Sequence, residues 1–281
     1  MLTTRSGVRL LSRADLDDFL DLAQQDPVVN VFAVHRAWST NLEPRWLGGE
    51  MWGRFVDGRL VAACHAGANL VPIQCGPADA EAFAERALAR RRMASTIVGP
   101  QDAVRPFWDR VESHWGRPRD ARWDQRHMVI TGPPAVALDP QVRNGEQADL
   151  RTLYPACVAM YTEEVGVSPE ANGGGDLYRT RVAQLVGRRW SFVRYDGGEL
   201  VFKAEVACAS ADAAQIQGVW VPPHRRNQGF ATAGMAAVVE QVRASIAPTV
   251  SLYVNDWNHA ARAAYERVGF VETTRFATVM F

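Results

Sequence analysis

The sequence predicts an α/β chain of two domains, each a twisted mixed β-sheet flanked by helices. Three observations predict it. The second half alternates β-prone and helix-forming runs, most clearly over residues 214–243. The first half shows the same order of patterns, which indicates a duplicated fold. A proline-rich connection, Gly-Pro-Pro-Ala-Val-Ala-Leu-Asp-Pro at 132–140, separates the halves and gives expected domains of 1–135 and 141–281.

The first half begins with an amphipathic helix and continues into a meander of strands. Ser12 is the expected cap of that helix, because leucine and phenylalanine follow it at helical spacing. Asp57-Gly58 lies between two β-prone runs and predicts a hairpin, and Pro77 stands in the first turn of a strongly helical run. In order, the expected elements are helices at 12–23 and 28–38, a turn at 39–44, a hairpin at 51–65, a strand at 68–74, a helix at 77–90, a strand at 95–99, a helix at 102–115 and a strand at 125–131.

The second half repeats that order. Pro155 could divide its first helical stretch, and Asp196-Gly197 marks a second hairpin. Pro222-Pro223 ends the last strand before a loop, because proline lacks the ladder donor and restricts the residue before it. The expected elements are a helix at 144–165, a flexible stretch at 167–176, a helix at 178–186, a hairpin at 190–209, a strand at 216–221, a helix at 233–243 and a strand at 248–254.

The loop at 225–233 has the features of an anion site. A strand that turns sharply into a helix leaves several backbone N–H groups in one concavity, at the positive end of the helix dipole. Gly229 permits close backbone approach and Ala231 keeps side-chain bulk low. Arg225 and Arg226 add positive charge. The expected occupant is therefore a phosphate or pyrophosphate.

Two motifs then carry a resemblance to a known family. The loop fits neither the Walker A pattern nor the three-glycine dinucleotide fingerprint. Its spacing, Arg226-x-x-Gly229-x-Ala231, resembles the Gln/Arg-x-x-Gly-x-Gly/Ala loop of the GCN5-related N-acetyltransferases (GNAT family). The family's second motif, Asn-x-x-Ala-x-x-x-Tyr-x-x-x-Gly-Phe, follows the next strand. The resemblance covers about residues 145 to 281, and the second motif is matched by Asn258, Ala261, Tyr265, Gly269 and Phe270.

Together with the duplicated order of elements, the resemblance implies two acetyltransferase-like domains, of which the second binds acetyl-CoA, or a related acyl-CoA, as acyl donor. In the first half, the segment 74–81 has no basic residue and places acidic side chains at the helix start. That half is expected to be a degenerate copy that lacks the cofactor loop. The cofactor-binding residues implied by the family are Val219, Trp220 and Val221 along the pantetheine arm, Arg226, Asn227, Gln228, Gly229, Phe230, Ala231 and Thr232 at the pyrophosphate, and Asn258 on the other side of the arm.

Acyl transfer to an amine requires a neutral amine, a polarised thioester carbonyl and a proton for the departing thiolate. Tyr265 stands at the family's general-acid position and is the first expected catalytic residue. The strand before the loop offers only glutamines, which cannot accept a proton at neutral pH, so Glu205 on the preceding strand is the expected base. Glu163 and Glu164 could also line the acceptor side, and water relays would make a single base unnecessary.

The leading hypothesis is an N-acetyltransferase that moves an acetyl group from acetyl-CoA to a primary amine of a small molecule or peptide by direct attack. Two alternatives stay open. One is an acyl-CoA-binding regulatory module without turnover, because the strand before the loop has no glutamate. The other is a tandem acetyltransferase similar to mycothiol synthase, which has two such domains.

Composition bounds the remaining possibilities. With 31 basic and 31 acidic residues, the chain gives no charge argument for a nucleic-acid or membrane partner. Its cysteines show no metal spacing and no disulfide framework, so each is expected to be a small core residue. No signal peptide or membrane span is expected. The four cysteines are Cys64, Cys75, Cys157 and Cys208. We expect a cytoplasmic monomer or homodimer whose partners are acetyl-CoA and an amine.

Overall fold

The computed structural model of the chain describes residues 6–281. It divides into two compact units. Unit 1 comprises the described residues up to His127 together with Tyr253–Trp257 and Glu272–Phe281, and unit 2 comprises Met128–Leu252 and Asn258–Val271. Unit 1 thus includes the last ten residues of the chain, which no local sequence pattern indicates.

The first half of the chain forms a meander followed by alternating helices and strands. Its elements are β1 (Ser6–Leu10), α1 (Leu16–Ala23), α2 (Val31–Thr40), α3 (Pro44–Leu47), β2 (Gly49–Val56), β3 (Arg59–Gly67), β4 (Asn69–Ile73), α4 (Pro77–Leu88), β5 (Thr96–Pro100), α5 (Gln101–Trp115) and β6 (Asp120–Ile130).

The second half repeats this order. Its elements are β7 (Arg143–Asn144), α6 (Leu150–Val165), α7 (Gly175–Gly187), β8 (Ser191–Asp196), β9 (Glu199–Ala209), β10 (Ala213–Trp220), α8 (Phe230–Ser245), β11 (Thr249–Asn255), α9 (His259–Val268) and β12 (Val271–Met280).

The strand orders confirm a mixed sheet in each unit. In unit 1 the order is β1-β2-β3-β4-β5-β12-β6, in which β4 and β5 are parallel and β12 is antiparallel to β5. In unit 2 the order is β11-β10-β9-β8-β7, in which β10 and β11 are the parallel pair. Each unit therefore has one parallel pair, joined by a crossover helix, beside an antiparallel meander.

A repeated ion pair shows the duplication at the level of single residues. Arg9 contacts Asp15 at 2.6 Å, and Arg143 contacts Asp149 at 2.6 Å. Each aspartate also accepts a bond from the backbone N–H three residues before it, at 2.9 and 2.7 Å. The two sites share the sequence Val-Arg-x-x-x-x-Ala-Asp-Leu, a signal of the duplication that the sequence analysis missed.

Helices cover both faces of the sheet in unit 2. Successive residues of a strand point to opposite faces, and Phe202 and Lys203 on β9 illustrate this. A Cβ at Gly234 of α8 would lie 2.9 Å from the Phe202 ring, so α8 packs closely on that face. Lys203 faces Cys157 of α6, in a layer with a core of α6, α7, β8 and β9 side chains. The predicted arrangement of helices on both faces is confirmed.

In unit 1, the helix that corresponds to α8 is α4, and the carboxylate of Asp79 lies at its N-terminus. Asp79 accepts a hydrogen bond from the backbone N–H of Gly76 at 3.1 Å and pairs with Arg54 at 2.6 Å. An external anion at this helix start would meet that carboxylate. The geometry is consistent with a first half that has no phosphate loop.

Several predicted boundaries are wrong. The stretch 39–44 is not one turn, because α2 continues to Thr40 and α3 begins at Pro44. Pro155 does not divide α6, which runs from Leu150 to Val165. Helix α8 begins at Phe230, three residues earlier than predicted, because the backbone of Gly229 serves as its cap. Cys64, Cys157 and Cys208 are buried as expected, whereas Cys75 is only partly buried.

Candidate active site

Strands β10 and β11 separate part-way along their length. Their parallel register begins at the start of both strands and ends where Gln215 pairs with Ser251. Strand β10 continues to Trp220. The last five residues of β10 therefore have no β11 partner in the ladder, which leaves backbone groups on that edge open to a ligand.

On its other edge, β10 contains a bulge. Gln217 pairs with Glu205 and Trp220 pairs with Lys203, so two residues of β10 stand opposite one residue of β9. The first of the two is Gly218, whose φ of +61° lies in the left-handed region that glycine tolerates. The peptide that follows Gly218 therefore lies at the irregular point of the strand, beside the separation from β11.

A buried charged group supports the bulge from beneath. Lys203, the only lysine of the chain, has no exposed surface. Its Nζ donates to the Gly218 carbonyl at 2.7 Å and lies 3.5 Å from Glu205 Oε2. Glu205 Oε1 accepts a bond from Gln217 Nε2 at 2.8 Å. Glu205, the predicted base, is thus buried and bonded to two side chains of its own chain.

The loop after β10 presents free backbone donors. Asn227 and Gly229 both have left-handed φ values, +62° and +86°, which turn the chain sharply into α8. Among the described residues, the N–H groups of 229–232 find no backbone acceptor, and the first bond of α8 runs from Ala233 N–H to the Gly229 carbonyl at 3.1 Å. These four groups are the orphan donors of a helix start. A side chain added at Gly229 would meet open space.

The arginines of the loop are held by carboxylates. Glu163, near the end of α6, accepts bonds from Arg226 Nη2 at 2.7 and 2.8 Å, and it also accepts from Trp220 Nε1 at 3.1 Å. Arg226 Nε donates to the Val221 carbonyl at 3.1 Å. This network joins α6, the end of β10 and the loop. Arg225 is held separately by Asp196 and Glu199 of the β8–β9 hairpin, and His224 is exposed and bonds to Glu199 at 2.5 Å.

Tyr265 lies on α9, and Asn258 immediately precedes this helix. Asn258 caps this helix, because its side-chain oxygen accepts a bond from the Ala261 N–H at 3.2 Å. Tyr265 is buried with its ring 6.0 Å from that of Phe270. Burial, together with the nearby charge of Glu164, raises the pKa of Tyr265. Its hydroxyl is therefore protonated at neutral pH, the state that a proton donor needs.

The structure places the predicted residues in three groups of unit 2. The end of β10 and the residue after it carry the set that is predicted to bind the arm, and α9 with its cap carries the other two residues. Glu205 lies beneath the bulge instead of on an open surface. The β10 group is Val219, Trp220 and Val221, the loop group is Arg226, Asn227, Gln228, Gly229, Phe230, Ala231 and Thr232, and the α9 group is Asn258 and Tyr265.

Comparison with family models identifies this part of the chain. Residues 181–270 match the model described as the acetyltransferase (GNAT) family. The chain carries a GNAT domain. The match runs from the second half of α7 to the end of α9 and so includes the separated strands, the loop of the GNAT domain and Tyr265. Residues 49–153 match a second model, a domain of unknown function (DUF4081).

Solved structures extend the fold to the whole chain. A GCN5-related N-acetyltransferase from Sphaerobacter thermophilus is 20% identical with a TM-score of 0.66, over 99% of this chain and 96% of that one. A GNAT acetyltransferase from Colwellia psychrerythraea is 14% identical with a TM-score of 0.60, over 98% and 99%. A tandem GNAT protein from the clavulanic acid biosynthesis pathway is 16% identical with a TM-score of 0.57, over 98% of both chains. These likenesses show the fold alone, and they confirm two acetyltransferase-like domains. No curated protein matches the sequence.

Two contacts of the GNAT domain were missed by the sequence analysis. Lys203 had a readable signal, because it is the only lysine and stands two residues from Glu205, on the same face of a strand. Glu163 was named only as a residue of the acceptor side, and no local pattern links it to Arg226, 63 residues away.

Within residues 6–281 no helix is long and apolar enough to cross a bilayer, and no His, Cys, Asp and Glu side chains cluster to hold a metal ion.

Proposed function

We propose that the GNAT domain binds acetyl-CoA and transfers its acetyl group to a primary amine of a small molecule or peptide by direct attack. The observation that carries the proposal is the continuity of two open backbone surfaces. The unpaired edge of β10 ends at Trp220, and one loop connects it to the orphan N–H groups of 229–232. The first suits the amide groups of a pantetheine arm and the second suits a pyrophosphate.

Each part of the donor would have a defined protein partner. Residues 226–232 would hold the pyrophosphate by main-chain N–H groups, with Thr232 able to add a hydroxyl. The backbone of 219–221 would pair with the arm. The amide nitrogen of Asn258 would donate to the arm, because its oxygen already caps α9.

The reaction needs one bond made and one broken. The neutral amine forms a bond to the thioester carbonyl carbon, the carbonyl oxygen takes up negative charge, and the carbon–sulfur bond then breaks as that charge returns. Tyr265 donates the proton that the departing thiolate requires, and the amine loses its extra proton to water. Holding the amine and the thioester together supplies much of the rate before any acid–base help.

Glu163 should compete with the donor for Arg226. A pyrophosphate at the loop would attract the same guanidinium that Glu163 now binds. Both side chains are about half exposed, and such pairs contribute only about 0.2 to 1 kcal/mol. We therefore expect Glu163→Gln to tighten acetyl-CoA binding by about 1.4- to fivefold, measured by isothermal titration calorimetry.

The matched control for that variant is Glu240→Gln. Glu240 is exposed on α8, so this change removes the same charge without touching Arg226. Equal tightening in both variants would mean that overall charge, and not the pair with Arg226, sets the affinity.

The function is tested by thiol release from acetyl-CoA with a panel of amines, amino acids, aminoglycosides and small peptides. Amine-dependent release establishes the acetyltransferase and begins to identify its acceptor. Tight binding of acetyl-CoA without release for any amine favours the second candidate, an acyl-CoA-binding regulatory module. The observation that favours this candidate is the commitment of Glu205 to Lys203 and Gln217, which leaves no open carboxylate at the expected base position.

A further inference from the structure

Lys203 is completely buried, which is unusual for a charged side chain. A lysine with no exposed surface loses the solvation of its ammonium group, a cost that proteins accept only with close partners. Burial lowers the pKa of Lys203, but the Glu205 carboxylate and the Cys157 thiol raise it by more, so the net shift is upward. The side chain is therefore a buried cation at neutral pH. Its shortest hydrogen bond, 2.7 Å, goes to the Gly218 carbonyl and not to Glu205.

The Gly218 carbonyl belongs to the same peptide unit as the Val219 N–H. A cation that binds the oxygen of a peptide withdraws electron density from it, and this polarisation makes the N–H of that peptide a stronger donor. The register gives neither Gly218 nor Val219 a partner on β9, and the ladder with β11 ends at Gln215. The polarised peptide thus lies at the bulge, on the part of β10 that separates from β11.

We propose that Lys203 is a positioning residue that fixes and polarises the Gly218–Val219 peptide, so that the Val219 N–H binds the thioester carbonyl oxygen and stabilises the negative charge that develops there. The inference rests on the proposed function. A preorganised donor aimed at developing charge is a large contribution to acyl transfer. Lys203 acts through the peptide and does not touch the substrate.

Glu205 has a defined part in this arrangement. Its Oε2 faces the ammonium at 3.5 Å and its Oε1 is bonded to Gln217. It compensates the buried charge and holds the amine of Lys203 beneath the bulge. A Cβ on Gly218 would come within 3.0 Å of both Lys203 Nζ and Glu205 Cδ, so the two side chains pack directly against the bulge. Glu205 therefore orients Lys203 and does not serve as the base.

Two variants separate these roles. Lys203→Met keeps the length of the side chain but leaves Glu205 buried and unpaired, which can prevent folding. The double variant Lys203→Met with Glu205→Gln removes both charges and keeps the fold testable. Glu205→Gln alone is the intermediate variant, because it keeps the lysine beside Gly218 but removes the carboxylate that compensates and orients it. Near-ultraviolet circular dichroism and acetyl-CoA affinity establish that each variant is folded.

The readouts are kcat and the infrared stretch of the thioester carbonyl in bound acetyl-CoA labelled with ¹³C at that carbon. In the double variant we expect kcat to fall about 10- to 100-fold, less than for loss of a whole oxyanion donor, with acetyl-CoA affinity within about twofold of wild type. The carbonyl stretch should lie at higher wavenumber than in wild type, because the hydrogen bond to it is weaker. Glu205→Gln should lie between wild type and the double variant in both wavenumber and kcat, because Lys203 remains beside Gly218 without the carboxylate that orients it.

An unchanged carbonyl stretch and kcat in the folded double variant would overturn the proposal and leave Lys203 a structural residue. A loss of kcat in the double variant with an unchanged carbonyl stretch would also overturn it, since the loss would then come from the missing carboxylate and not from a weaker hydrogen bond to the carbonyl. The infrared measurement needs only bound acetyl-CoA. If wild type binds acetyl-CoA without turnover, the proposed function fails while the carbonyl stretch still decides the role of Lys203.

Discussion

Gly229→Glu abolishes acetyl-CoA binding in a chain that still folds. The added carboxylate would lie beside the orphan N–H groups of 229–232, where the proposal places the pyrophosphate. Like charges brought together at a binding site cost several kcal/mol, so affinity should fall by at least about 100-fold. Open space around Gly229 means that the new side chain needs no repacking. Isothermal titration calorimetry measures the loss.

Two control variants separate the effect of the added carboxylate from the effect of replacing a glycine. Gly229→Ala carries the same backbone strain at φ +86° without the carboxylate, and it should retain most of the affinity. Gly58→Glu places the same side chain at another exposed left-handed glycine, φ +82° in the β2–β3 hairpin of unit 1, and it should bind like wild type. Unchanged affinity in Gly229→Glu would show that the loop does not hold the pyrophosphate.

Tyr265→Phe lowers kcat by about 100-fold, the lower range for loss of a general acid. The variant keeps the ring that packs on Phe270 and removes only the hydroxyl. Because the raised pKa of Tyr265 keeps that hydroxyl protonated, its loss deprives the departing thiolate of a donor at every pH of the assay. Acetyl-CoA affinity should stay within about twofold, since the proton moves only in the transition state. Steady-state thiol release with a saturating acceptor gives kcat.

Tyr154→Phe is the comparison for that variant. Tyr154 is also a buried tyrosine of unit 2, and its hydroxyl donates to Glu170 at 2.8 Å. This change removes a hydroxyl of the same kind away from α9, so kcat should change little. A kcat for Tyr265→Phe within about threefold of wild type would mean that water supplies the proton.

Local signals account for what the sequence predicted well. Turn residues such as Asp57-Gly58 and Asp196-Gly197 marked both hairpins, and the alternation of strands and helices gave the duplicated order. Strand β1 is only five residues long and lacked a clear pattern. Strand β12 belongs to unit 1 because it pairs with β5, about 180 residues earlier in the chain. No window of sequence contains that information.

The candidate site also contains some features with a local sequence signal and others that depend on contacts between distant parts of the chain. The loop and the motif from Asn258 to Phe270 are contiguous and could be read directly. The separation of β10 from β11 and the bulge at Gly218 depend on how three strands align, and a glycine in a strand only hints at them. Glu205 appeared to be an open carboxylate because its partners, Lys203 and Gln217, become neighbours only in the folded sheet.

A calorimetric titration of the wild-type chain with acetyl-CoA tests the central claim most directly. The account predicts one site per chain, because the helix start in unit 1 is occupied by Asp79 while the corresponding start of α8 has open N–H groups. That single site should disappear in Gly229→Glu. Two sites per chain, or no binding at all, would contradict the account.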